Sequence, residues 1–279
     1  MIRIAHLSDL HFGTEDPQVC NALHAVLHEL NPDLVAVSGD LTQRARPSQF
    51  EAAQLFLASL PGRLLVVPGN HDVPLFNLPA RMFWPYRNYE RAFGEPQAAA
   101  VNADLVSLIG VDSTRRWRHK EGWLGRRGDR SIPSRLPRRA LGSVLGMVTH
   151  HPLLRNTELA GLTPERGVRR TVQRLHRLGV DFVLCGHDHE ARAHWFELAG
   201  TQDPASEPQV RSIHGILQIS AGTATSRRVR GEPNSFNLLR LQFKQGARPA
   251  MVTERWNYQS EFQQFKLFDL QATPLSSRV

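Results

Sequence analysis

Cysteine is scarce: two residues, Cys20 and Cys185, in a chain of 279. They sit in neither a metal-type nor a redox-type pair, so a disulfide framework is excluded as the basis of the fold. Cys185 closes the apolar run Phe182-Val183-Leu184-Cys185 and reads as a buried strand residue. Long apolar runs are missing too, and no stretch could span a bilayer as a helix. The first apolar run, Ile2–Leu7, is broken by Arg3 and His6 and leads straight into Asp9 and His11. It is too short for the core of a secretion signal and is expected to belong to the fold. We therefore expect a soluble, cytoplasmic protein. Internal repeats and low-complexity tracts are lacking as well.

Acidic charge is in deficit. Thirty-four Lys and Arg against 26 Asp and Glu give a formal net charge of +8. That balance favours anionic partners such as phosphates, nucleic acid or an acidic membrane surface, without choosing among them. Much of the basic charge lies between Arg115 and Arg139, where Trp117 and Trp123 are interspersed. The plainer account of that stretch is a solvated surface loop.

What is present is an ordinary globular composition, 41% hydrophobic, with material for a large core. Short β-type runs alternate with helical stretches. Strands are expected at 2–7, 34–38, 64–67, 105–111, 144–149 and 180–185, and helices at 17–30, 47–59, 79–93 and 163–178, the last opened by Thr163-Pro164. After His189 the pattern turns to β alone, at 193–198, 210–220, 236–243 and 250–256, with a polar hairpin insert at 200–208. The first part suggests parallel strands joined by helices and the second an antiparallel sheet. Two sheets packed face to face with helices outside would satisfy both. The domain is expected to span 1–256. Residues 257–279, with Phe262, Phe265 and Phe268 at intervals of three, would form an extension on the core or at an interface.

Five polar clusters share one placement, just past the C-terminal end of an expected strand, the edge where α/β folds gather ligands. They are Asp9-Leu10-His11, Gly39-Asp40, Gly69-Asn70-His71-Asp72, His150-His151-Pro152 and Gly186-His187-Asp188-His189. Taken singly, Asp-x-His reads as a capping pair and Gly-Asp as a turn. Together, in this order, they point to a site. Carboxylate, imidazole and amide donors suit manganese, iron or zinc, whereas calcium prefers oxygen alone. There are too many donors for one ion and about enough for two sharing a carboxylate. Paired cations serve phosphoryl transfer by clamping the attacking and leaving oxygens.

These motifs resemble the calcineurin-like metallophosphoesterase superfamily, in order and spacing over about residues 2–225. The resemblance implies an αββα sandwich of two mixed sheets and a centre of two divalent or mixed-valence ions (Mn, Fe or Zn). It would put Asp9, His11 and His189 on one ion, Asn70, His150 and His187 on the other, and Asp40 between them. His151 would stand behind His150. A metal-bridging hydroxide would attack phosphorus while His71 assists the leaving group, with Asp72 orienting its ring. The Asp-Leu-His, Gly-Asp-Leu-Thr, Gly-Asn-His-Asp-Val-Pro, His-His-Pro-Leu and Ala221-Gly222-Thr223 signatures are most similar to the bacterial branch that holds class III cyclic nucleotide phosphodiesterases. The expected substrate is thus a small phosphodiester such as a cyclic nucleotide. A nuclease or a nucleotide-lipid pyrophosphatase would use the same centre, a scaffold would not need it, and a homodimer is compatible with the resemblance. The arginine-rich 115–139 stretch departs from the family pattern and weakens any transfer of substrate identity.

Overall fold

The structure is a computed structural model, described for residues 1–96, 100–117, 142–153, 166–197, 215–229, 231–244 and 249–275. Strands β1 (Ile2–Leu7), β2 (Leu34–Ser38) and β3 (Arg63–Val67) alternate with helices α1 (Pro17–Leu30) and α2 (Pro47–Ala58). Two short helices follow, α3 (Leu78–Phe83) and α4 (Arg87–Phe93). Next come β4 (Ala100–Ala103), β5 (Val106–Gly110), β6 (Val144–Val148), α5 (Arg166–Leu178) and β7 (Phe182–Cys185). The chain closes with β8 (Arg192–Glu197), β9 (Gly215–Ser220), β10 (Ser235–Gln242), β11 (Ala250–Gln259) and β12 (Gln264–Pro274).

Local chemistry accounts for the helix ends. Asp16 caps α1 by accepting from the Gln18 N–H, and Pro17 occupies the first turn, where no partner for its nitrogen is needed. Asn31 ends the helix in the left-handed conformation, φ 43°. The single helix expected over 79–93 is instead two, broken at Trp84-Pro85. Proline lacks the N–H that would continue the ladder and pushes the preceding residue out of helical geometry.

The strands form two six-stranded sheets, in the orders β12-β11-β10-β1-β2-β3 and β4-β5-β6-β7-β9-β8. Side-chain alternation along the strands separates three cores. Ile2, Ile4, Leu34, Ala36, Leu65 and Val67 face Val144, Phe182, Leu184 and Ile219 between the sheets. From the other faces of the same strands, Ala5, Leu7, Val35 and Val37 pack on Val19, Leu23 and Leu27 of α1 and on Phe50 and Leu57 of α2. Behind the second sheet, Leu145, Met147 and Val183 pack on Val172 and Leu175 of α5. The result is a four-layer αββα sandwich.

Each sheet is mixed, as the family resemblance implies; the split between a parallel first part and an antiparallel second part, read from the residue pattern, does not follow the sheets. β10 inserts antiparallel beside β1, with Ile2 opposite Leu241, so the last three strands complete the sheet that the first three begin. The expected boundary at 256 falls inside β11, and β12 adds a further antiparallel strand, so 257–275 continues the sheet. Of the three aromatics, Phe262 lies in the turn before β12, and a bulge accounts for the interval between Phe265 and Phe268. Arg255 pairs with Asp269 and Trp256 with Leu267, leaving Phe268 as an extra residue that breaks the alternation. The Thr163-Pro164 cap and the 200–208 insert lie outside the described residues, as does the arginine-rich stretch beyond Trp117.

Candidate metal centre

All five clusters meet at one end of the sandwich, on loops leaving β1, β2, β3, β6 and β7. The backbone is bent hard to bring them there. Nine non-glycine residues among those described have φ in the left-handed region, and five are Asp9, His11, Asp40, His187 and His189. Such conformations cost energy and persist where surrounding structure over-determines them. The loops hold one another: the Asp9 N–H donates to Gly39 O, His11 N–H to Asp40 O, and Gly186 N–H to His150 O. Two glycines make this approach feasible. A Cβ on Gly39 would lie 2.7 Å from His150 Nδ1, and one on Gly186 would lie 1.8 Å from Ser8 Oγ.

Two sets of donors result. In the first, Asp9 Oδ1 lies 3.6 Å from His11 Nε2 and 3.4 Å from His189 Nε2. The two imidazoles are stacked, 7° from parallel. In the second, Asn70 Oδ1 lies 3.1 Å from His150 Nε2 and 3.0 Å from His187 Nδ1. Asp40 stands between them. Its Oδ2 is 3.7 Å from His11 Nε2, and its Oδ1 is 3.4 Å from His150 Nε2.

The match to the family model for the calcineurin-like phosphoesterase covers residues 2–191, which includes every one of these donors. The chain belongs to the calcineurin-like phosphoesterase family. It is accordingly a metal-dependent phosphoesterase. It is 29% identical over 229 residues to the glycerophosphodiester phosphodiesterase GpdQ of Enterobacter lignolyticus, covering 76% of this chain and 80% of that protein. It is 26% identical over 209 residues to a probable cyclic nucleotide phosphodiesterase of Synechococcus, covering 68% and 74%. The fold is similar to that of the purple acid phosphatase PPD1 from yellow lupin. The TM-score is 0.56 at 13% identity, and the match covers 98% of this chain but spans only 53% of that one.

The environment of the phosphoesterase site suits cations. Asp9 Oδ1 is buried with no hydrogen bond, between two imidazole nitrogens at 3.4 and 3.6 Å. Donors bound to one metal at about 2.1 Å sit roughly 3–3.5 Å apart, close to this spacing. Burial disfavours the charged forms of Asp9 and Asp40, yet their histidine neighbours outweigh it. His189 and His11 hold Asp9 below the usual carboxylate range, and His150 and His11 hold Asp40 well below it. Burial likewise opposes protonation of His150, but Asp40 and Asp9 push it up to about 9. A cation entering the site would displace such protons.

The residues behind the donors select their tautomers. His150 Nδ1 donates to Ser38 O at 2.8 Å, which turns Nε2 toward Asp40 and Asn70. His189 Nδ1 lies 2.6 Å from Thr223 Oγ1, so its Nε2 faces Asp9. Ser8 Oγ donates to Asp9 Oδ2 at 2.7 Å.

His151 comes nearer than expected. A ring nitrogen of His151 groups with those of His150 and His187, and its Nδ1 lies 2.8 Å from Ser113 Oγ. Ser8 and Ser113 carry no sequence signal, because their relevance depends on loops that meet only in the fold. Thr223 follows the glycine of the Ala-Gly-Thr signature, which is the cue that could have flagged it.

Asp72 is engaged by backbone donors. Its carboxylate accepts from the N–H groups of Leu41, Thr42 and Gly69 and from Thr42 Oγ1. It therefore ties the loop after β2 to the loop after β3. The His71 ring is held by Gln43 O, 3.0 Å from Nδ1. Burial, and then Asp40, push Asp72 up to about 6 despite its four donors.

Proposed function

We propose that this phosphoesterase hydrolyses small phosphodiesters at a centre of two metal ions, with manganese, iron and zinc all suited to the donors. Asp9, His11 and His189 would hold one ion and Asn70, His150 and His187 the other, with Asp40 contributing one oxygen to each. The observation that carries this reading is the orientation of Asp40, whose two oxygens face the two donor sets separately. When bound, the ions supply Lewis acidity toward the phosphoryl oxygens and lower the pKa of water.

The remaining work falls to the chain. A carbonyl can only accept, so Gln43 fixes one proton of His71 on Nδ1; in the imidazolium form Nε2 would carry the second proton, which passes to the departing alkoxide and leaves the neutral ring. His71 also meets the His11 ring edge to face at 4.8 Å, beside the first donor set. Asp72 then acts by positioning His71 through the backbone. Of the relatives named, one is a glycerophosphodiester phosphodiesterase and one a probable cyclic nucleotide phosphodiesterase, which supports the diester class. The cytoplasm is the proposed location.

The test is hydrolysis of bis(p-nitrophenyl) phosphate beside its monoester, with added Mn²⁺ and with chelator, in the wild type and in Asp40→Ala. The expected outcome is metal-dependent cleavage of the diester and loss of both bound metal and turnover in the variant. Full activity in folded Asp40→Ala would sink the site assignment.

A further inference from the structure

Among the described residues, large apolar side chains left in solvent fall mainly into two groups, one on and beside β12 (Phe262, Leu267, Phe268 and Leu270) and a larger one around α3. Phe76, Leu78, Phe83, Trp84 and Trp117 are each at least 61% exposed, and Met82 is 43% exposed. Clusters of this kind, unlike scattered single residues, mark interaction sites. The cluster is built, not frayed. Arg81, on the inner face of α3, donates to the backbone carbonyls of Pro74, Arg115 and Arg116, and Arg116 donates in turn to Met82 O. These bonds lock α3 to the 115–117 segment and hold Trp84 and Trp117 outward. The cluster also adjoins the metal centre. Phe76 lies five residues beyond His71, and its ring sits 5.0 Å from the guanidinium of Arg44, the neighbour of the Gln43 that holds His71.

We infer that this platform docks the enzyme onto an anionic lipid bilayer, with the metal centre facing the headgroups. Its chemistry matches an interface: tryptophan, phenylalanine, leucine and methionine insert at headgroup depth, and arginine pairs with anionic phosphate. Charge favours a membrane over a second copy of the chain. No Asp or Glu occurs from Val73 to Tyr89 or from Ser113 to Trp117; at the margins the exposed Arg87 and Arg116 and the half-buried Arg44 outnumber the one exposed acid, Glu90, while Asp112 is half-buried against Tyr86. Two such faces brought together would repel. Leu78 and Met82 favour lipid over nucleic acid, since aliphatic chains give no stacking surface for bases.

The test is co-sedimentation of the metal-loaded protein with vesicles of phosphatidylcholine mixed with phosphatidylglycerol, and with vesicles of phosphatidylcholine alone. The wild type should sediment with the anionic vesicles, much less with the neutral ones, and be released by salt. The doubly substituted protein Phe83→Ser/Trp84→Ser should lose about tenfold or more in vesicle affinity. Its hydrolysis of soluble bis(p-nitrophenyl) phosphate should be unchanged, which keeps this test independent of the proposed reaction. Trp117→Gln gives the same reading should the double variant fail to fold. Absence of sedimentation by the wild type, equal sedimentation by the folded variants, or loss of self-association or DNA affinity in their place would overturn the inference.

Discussion

The two donor sets on either side of Asp40 are built differently. Around Asp9 the donors stand 3.4–3.6 Å apart, and Asp9 Oδ1 and His11 Nδ1 are buried without a hydrogen bond. Around Asn70 the donors already engage one another, at 3.0 Å to His187 and 3.1 Å to His150. A carboxylate oxygen left without a donor in a buried site is costly, whereas an amide oxygen between two imidazoles is already satisfied. The first set therefore gains more from a cation than the second. A binuclear site need not be thermodynamically symmetric even when one residue serves both halves.

Substitutions that remove one set at a time give the largest test of this contrast. Asp9→Asn should lower diester turnover by about a thousandfold or more and empty the first site, with metal content read by mass spectrometry. Asn70→Ala should lose one ion and keep the other. Equal loss from both variants would erase the asymmetry. Next in size is a chelator titration of the native protein. It should remove the ion on the Asn70 side first and give two resolved steps rather than one. Thr223→Val sharpens the comparison further. It should weaken the first site about 10- to 100-fold, through loss of the hydrogen bond that fixes His189, and leave the second site and the unfolding midpoint near their native values.

A smaller effect concerns the floor of the site. His6 is buried between the sheets, 3.0 Å from Ser38 Oγ, and burial pushes it down to about 3, against a slight opposing pull from Asp9. The folded protein keeps this ring neutral, while the unfolded chain protonates it near pH 6.5. Its contribution to stability is thus complete above pH 6.5 and is lost as the pH falls toward 3, at roughly 1.4 kcal/mol per pH unit. Urea denaturation at stepped pH should show this slope, and His6→Asn should flatten it. The smallest effect is an absence of reaction. Burial pushes both Cys20 and Cys185 up to about 12, so neither should react with a thiol reagent at neutral pH until the protein unfolds.

Legibility in the sequence followed the range of the interaction. α1 and β2 match the expected spans because Asp16, Pro17 and Asn31 act on adjacent residues, and Leu34–Ser38 is a continuous apolar run buried on both faces. The five clusters were readable because each sits beside its own strand. The place of β10 against β1 was not, since nothing local to Ser235–Gln242 names its partner. The backbone bonds of Asp72 were hidden for the same reason, its four donors lying on Leu41, Thr42 and Gly69. β12 was obscured by its bulge, which replaces the alternation of a strand with a spacing that resembles a helix.

The pairing of Ile2 with Leu241 bears on how the protein is made. During synthesis β1, β2 and β3 emerge first, yet β1 keeps an unpaired edge until β10 has left the ribosome. The nascent chain thus carries an open template for stray strand pairing throughout the synthesis of the segment between β1 and β10. Chaperone capture or slow post-translational closure would be felt most at this seam, where strands made far apart in time join.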